Sequence, residues 1–175
     1  MARIHQQWSS LRVRAAHLFR RIPWLIVFLQ RIYRQFRPKF SAGAVGLLFN
    51  ARGEVLFVEH IFHPKHPWGP PGGWVDRGEA PTTTVAREMQ EEVGLQVLVG
   101  DLIHIEFLPQ MRHVTFAYRC TADSYEVTHL SPELIGYGWY PPDALPNVYP
   151  FIKQAVSMAL ARASDAEPVA AAPVA

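Results

Sequence analysis

One cysteine in 175 residues, Cys120, excludes an internal disulfide and fits a reducing compartment. It sits in an apolar alternating run and reads as a buried, inert thiol rather than a nucleophile. No apolar run approaches the roughly 20 residues that a spanning helix needs. The densest, Trp24-Leu25-Ile26-Val27-Phe28-Leu29, is soon interrupted by Arg31, Arg34 and Arg37. It is also a poor secretory signal, because those arginines and Lys39 separate it from the small residues Ser41-Ala42-Gly43-Ala44. Acid is missing from the whole beginning of the chain, where the first carboxylate is Glu54. No internal repeat is visible, and the length suffices for one well-buried domain plus an appendage, not for two cores.

The overall charge of +2 therefore hides an asymmetry: residues 1–40 carry +9 and the remainder −7. From Ile4 through Trp8, Leu11, Ala15, Leu18 and Ile22 apolar residues recur at steps of four and three, which predicts an amphipathic helix ended by Pro23. Pro23 can open a second helix, Trp24 to about Phe36. Three readings of this arm stay open. It packs on the rest of the chain or on a second copy in a homodimer; it lies in the interface of an anionic membrane; or it contacts nucleic acid. Aromatic residues interleaved with arginines favour the membrane over nucleic acid. The expected location is cytoplasmic, with peripheral membrane attachment through residues 1–40.

What is abundant is acid in one short stretch. Residues 73–95 hold five of the fifteen carboxylates, beside the glycine-rich turn Pro70-Pro71-Gly72-Gly73. Pro81 suits a first helical position, Val85, Met89 and Val93 recur every four residues, and Gly94 suits a stop, so a helix is predicted over about 81–93. On it Glu88, Glu91 and Glu92 project from one side, away from the apolar stripe. Arg87 alone cannot neutralise three stacked acids, whereas a hard divalent cation, which takes oxygen ligands, can. The competing reading is a solvated acidic face.

The spacing G-x5-E-x7-R-E-U-x-E-E-x-G-U, with U aliphatic, resembles the signature of the Nudix hydrolases. Gly73, Glu79, Arg87, Glu88, Met89, Glu91, Glu92, Gly94 and Leu95 fill its fixed positions. The resemblance implies an α+β fold, a Nudix-type α/β/α sandwich with a mixed sheet over about residues 42–162; the N-terminal amphipathic helices of residues 1–40 precede it, and the alanine-, proline- and valine-rich stretch 163–175 reads from its composition as a disordered tail. The resemblance also implies hydrolysis of a diphosphate bond, in a nucleoside diphosphate linked to another moiety, with Mg²⁺ or Mn²⁺ as cofactor. Glu88, Glu91 and Glu92 would be metal ligands, one of them accepting a proton from water. Arg87 would orient a glutamate, the Gly73 carbonyl would complete the metal shell, and Glu79 would brace the loop or hold a second metal through water. Glu133 and Glu126 are candidates for a further carboxylate from the loop before the last strand. The alternative is a non-catalytic Nudix domain that senses a nucleotide or bridges partners, although such domains typically lose signature glutamates that this chain keeps.

Around this stretch, Ala44–Phe49 and Glu54–His60 read as a hairpin closed by Asn50-Ala51-Arg52-Gly53. The loop His60 to Trp68 carries His60, His63 and His66, whose proline-broken spacing suits surface histidines better than a metal site. Lys65 could meet phosphates, and Trp68 could support the glycine loop or stack on a base. Residues 96–99, 102–108, 114–121 and 137–140 read as strands, 122–136 as a loop, and about 150–163 as a closing helix.

Overall fold

The structure, a computed structural model, describes residues 23–165. The chain divides into two units, Met1–Lys39 and Phe40–Ala175. In the first unit the described part is helix α1, Pro23–Gln35, opened by a proline whose missing N–H is no loss at a helix start. The Arg37 guanidinium lies 4.5 Å above the Tyr33 ring just beyond its end. The predicted helix over Ile4–Ile22 lies outside the described residues, as does most of the predicted tail.

The described part of the second unit is built on seven strands and two helices in the order β1 (Ser41–Leu48), β2 (Val55–His60), β3 (Trp68–Gly69), β4 (Gly72–Trp74), α2 (Pro81–Val93), β5 (Leu98–Leu108), β6 (His113–Thr121), β7 (Leu134–Tyr140) and α3 (Pro150–Asp165). One sheet runs β4-β1-β6-β5 and the other β3-β2-β7. The first is mixed, since β1 is antiparallel to β4 and parallel to β6, while β5 and β6 are antiparallel.

The expected hairpin is only partly formed. Gly53 takes φ 76°, and Asn50 Oδ1 accepts the N–H groups of Arg52 and Glu54, so the turn is present. Beyond the single bridge Phe49 to Val55, however, the two strands part and each joins its own sheet. Their side chains show why. Along β1, Ala44 and Leu48 enter one core with Val85, Met89 and Val93 of α2, while Leu47 enters another with Ile152, Ala155, Val156 and Ala159 of α3. In β2, Leu56 and Val58 join the first core, and Val55 and Phe57 the second. A strand buried on both faces needs a layer on each side, which a two-stranded hairpin cannot provide.

Two further differences from the sequence reading have local causes. The segments read as strands over 96–99 and 102–108 are one strand, β5, because pairing with β6 continues through bulges on either side of Leu102 despite Gly100 and Asp101. The short strands β3 and β4 escape pattern reading because two or three residues rich in Gly carry no alternation; they exist by pairing with β2 and β1.

The helix comes close to the sheet at Gly46, where a Cβ would stand 2.6 Å from Met89 Cε and 2.8 Å from Val85 Cγ1. That places α2 flush on β1 and fixes the height of its carboxylates above β4. Gly46→Val is expected to destabilise the protein by about 3 kcal/mol, at the upper end of ordinary overpacking, measured as a lower urea midpoint with an unchanged m-value.

Candidate active site

Helix α2 begins at Pro81 without a side-chain cap, and ends where Gly94 turns left-handed at φ 70° and returns its N–H to the Gln90 carbonyl. The next carbonyls are satisfied from outside. The segment before β7 lies along the helix end, with His129 Nε2 donating to Glu91 O (3.1 Å), Ser131 N to Glu92 O (3.0 Å) and Thr128 N to Val93 O (3.2 Å). This strap orders the turn of helix that carries Glu91 and Glu92.

Arg87 is the hub of the acidic side. Its Nε meets Glu79 Oε1 at 3.0 Å, one terminal nitrogen meets Glu88 Oε1 at 2.8 Å and Glu91 Oε2 at 3.0 Å, and the other reaches Glu79 Oε2 at 3.2 Å and the Trp74 carbonyl at 3.4 Å. One guanidinium thus ties the turn before the helix to the helix itself. The Arg87 guanidinium and the Thr84 hydroxyl, which donates to Glu79 Oε2 at 2.7 Å, hold the Glu79 carboxyl down at about 2.

Glu92 has no share of that arginine. It is 8% exposed, and its Oε2 accepts the Gly72 N–H at 3.0 Å. Burial, reinforced by the carboxylates of Glu88, Glu133 and Glu91, pushes it up to about 8. Burial also raises Glu88, against the opposing pull of Arg87. Gly73 completes the enclosure, because a Cβ there would collide with Glu88 Oε1. Glycine at this point lets the strand β4 backbone run against the carboxylate.

The six residues singled out from sequence, Gly73, Glu79, Arg87, Glu88, Glu91 and Glu92, thus lie in one constellation. Of the two loop candidates, Glu133 stands near enough to Glu92 to raise its carboxyl, whereas Glu126 bonds its N–H to Ser124 Oγ at 3.2 Å. Among the described residues no three His, Cys, Asp or Glu side chains converge as a formed metal cage; Glu88 and Glu91 share one Arg87 nitrogen. The donors are all oxygen, which is the set a hard divalent cation takes.

The histidines separate. His66 is half-buried and bonded to Asn147 Oδ1 at 2.9 Å, while His60, also expected at the surface, is half-buried at the end of β2 with the His63 ring 4.7 Å away, and burial lowers it to about 4. Lys65 is exposed, and its carbonyl accepts Asn147 Nδ2 at 2.8 Å. Trp68 packs edge-on against Tyr140 at 5.2 Å. Cys120 is 2% exposed, and burial pushes its thiol up to about 12. Sequence reasoning passed over His113, Tyr149, Phe151 and the Thr128–Ser131 strap. They reach the site from β6, the start of α3 and a long loop, and no spacing along the chain announces them.

A two-layer sheet system flanked by helices, with an arginine-tied row of glutamates over a glycine turn, defines a Nudix-type domain. The model of the NUDIX domain matches residues 39–159, and the chain belongs to that family. It is 30% identical over 121 residues to the NAD-capped RNA hydrolase NudC of Erwinia tasmaniensis, which covers 69% of this chain and 44% of that protein. It is 39% identical over 66 residues to an RNA pyrophosphohydrolase of Psychrobacter cryohalolentis, 38% of this chain and 37% of the relative. The chain thus spans less than half the length of these curated relatives. Among solved structures, an ADP-ribose pyrophosphatase of Streptococcus suis superposes with a TM-score of 0.58 at 22% identity, over 74% of this chain and 94% of that one, and shares the fold.

The Glu92 carboxyl gives a pH signature to the metal-free protein. Its folded value near 8 exceeds the ordinary 4.5, so the native state keeps a proton that the unfolded chain releases. The resulting stabilisation is complete below 4.5 and is lost as pH rises through 8. In EDTA the urea midpoint of the wild type is expected to fall between roughly pH 5 and pH 9, and that of Glu92→Gln to stay flatter over the same window.

Proposed function

We propose that this chain hydrolyses a diphosphate bond in a nucleoside diphosphate linked to another moiety, with Mg²⁺ or Mn²⁺ held by Glu88, Glu91 and Glu92. The observation that carries the reading is the buried Glu92 carboxyl beside Glu88 and the Gly72-Gly73 backbone, with no arginine to balance it. Supporting it, the relatives include an NAD-capped RNA hydrolase and an RNA pyrophosphohydrolase.

When bound, a divalent cation supplies charge neutralisation on the diphosphate oxygens and acidifies a bound water. The chain supplies the rest. Glu88, Glu91 and Glu92 provide charged oxygen donors and the Gly73 carbonyl a neutral one. One of the three glutamates accepts the proton released by the attacking water. Arg87 holds Glu88 and Glu91 while the cation is away and keeps Glu79 on the loop, where it braces the turn. Glu133 adds negative charge beside Glu92 and so favours a cation there.

Incubation with Mg²⁺ and a panel of nucleoside diphosphate conjugates, dinucleoside polyphosphates and nucleoside triphosphates tests the reading. Turnover is expected on a conjugate, lowered by about 100-fold or more in Glu92→Gln with the fold retained. No turnover on any member, with Mg²⁺ or Mn²⁺, would favour a nucleotide-sensing domain instead.

For residues 1–40 we propose contact with an anionic membrane surface, supported by their +9 charge and the aromatic residues between the arginines. No helix among the described residues is long and apolar enough to cross a membrane. Co-sedimentation with anionic vesicles is expected at low salt and not with vesicles of neutral lipid. Retention by RNA in place of vesicles would reassign the arm to nucleic acid.

A further inference from the structure

Beside Gly73, on the side of β4 that carries the Trp74 ring, a cavity of about 240 Å³ opens between the two sheets. Its walls are Trp68, Trp74, His60, His113, Tyr149 and Phe151. Among its lining side chains there is no carboxylate, carboxamide, ammonium or guanidinium. The Trp74 ring is 61% exposed, so a face is free, and it stands edge-on to the His113 ring at 4.7 Å. Ser41 Oγ lies 2.8 Å from His113 Nδ1 and fixes that ring, leaving Nε2 toward Gly43, whose absent Cβ would stand 2.9 Å from it and 3.4 Å from the Gly73 carbonyl. Glycine at 43 therefore lets the His113 ring lie against the β1 backbone beside Gly73.

Part of the backbone around the cavity is committed to the sheets. Gly43, Ala44 and Val45 pair with β4 on one side and with β6 on the other, and Trp68 and Gly69 pair with β2. What the lining side chains offer a ligand is aromatic surface, aliphatic surface from Val45, Leu108, Met111 and Ile152, single imidazole nitrogens and hydroxyls. A sugar or a second charged group needs a convergent polar lining. A planar, uncharged heteroaromatic ring finds stacking surface and isolated polar contacts. Reading one base against another takes two-pronged groups such as Asn, Gln, Asp, Glu or Arg, which this lining lacks.

We propose that this cavity holds the nucleobase of the substrate and is permissive among bases, with Trp74 as the stacking residue and His113 as its oriented neighbour. The proposal rests on the diphosphate-hydrolase reading for the substrate's other end, and the following experiment separates the two. Calorimetric titration of the full chain with AMP, GMP, CMP, UMP, ribose 5-phosphate and geranyl phosphate needs no turnover. The four nucleotides are expected to bind within about tenfold of one another, because a pocket without dedicated hydrogen-bonding pairs discriminates weakly. Ribose 5-phosphate is expected to bind about ten- to hundredfold more weakly, the worth of one stacked base. Trp74→Leu changes an exposed side chain, so its circular dichroism should match the wild type while the advantage of the nucleotides over ribose 5-phosphate disappears.

A wider spread among the bases, ribose 5-phosphate binding as well as the nucleotides, geranyl phosphate binding more tightly than any of them, undiminished AMP binding by Trp74→Leu, or no binding of any nucleotide would each overturn the proposal. Nucleotide binding of the expected pattern without turnover of any conjugate would overturn the hydrolase and leave the base site standing. Turnover indifferent to the presence of a base would do the reverse.

Discussion

Three carboxylates on one side of a short helix repel each other, and the arrangement of this domain depends on how that repulsion is contained. Arg87 contains part of it. Its planar fork reaches Glu79, Glu88, Glu91 and the Trp74 carbonyl at once, a division of donors that a lysine's single ammonium would not reproduce. Glu92 is left over, and the fold meets it with one backbone N–H and burial. Negative charge is therefore matched by a guanidinium at one end of the row and by burial and a single N–H at the other.

The scaffold serves this arrangement by layering. Strands β1 and β2 leave their shared turn for different sheets, and each is packed on both faces, so the helix with the glutamates and the helix that closes the other side rest on a common floor. Gly46 sets the helix close to that floor, and the strap from Thr128 to Ser131 fixes its far end. Local order around Glu91 and Glu92 thus comes from three separate parts of the chain.

That dispersal explains what could be read from sequence. Pro81, the four-residue recurrence of Val85, Met89 and Val93, and Gly94 are local signals, and the helix observed, Pro81–Val93, has the predicted limits. The glutamates and Arg87 lie within one motif, so their grouping was legible too. The parting of β1 and β2 was not, because a turn signal says nothing about which neighbours its strands will find. Nor were β3 and β4, which are strands by pairing alone, or the union of two predicted strands into β5, where pairing outweighs a glycine and an aspartate. His113 and Tyr149 come to the cavity through register and chain crossing, and neither leaves a trace in spacing.

Gly73 and Trp74 are consecutive residues of a three-residue strand with opposite tolerances. At 73 a Cβ would strike the end of the Glu88 side chain and displace that carboxylate, whereas residue 74 keeps most of its surface free. The pleat of β4 thereby sets a position where any side chain must move a glutamate next to one where side chains of many sizes fit. Substitution at residue 74 leaves the glutamate row in place, and substitution one peptide bond earlier does not.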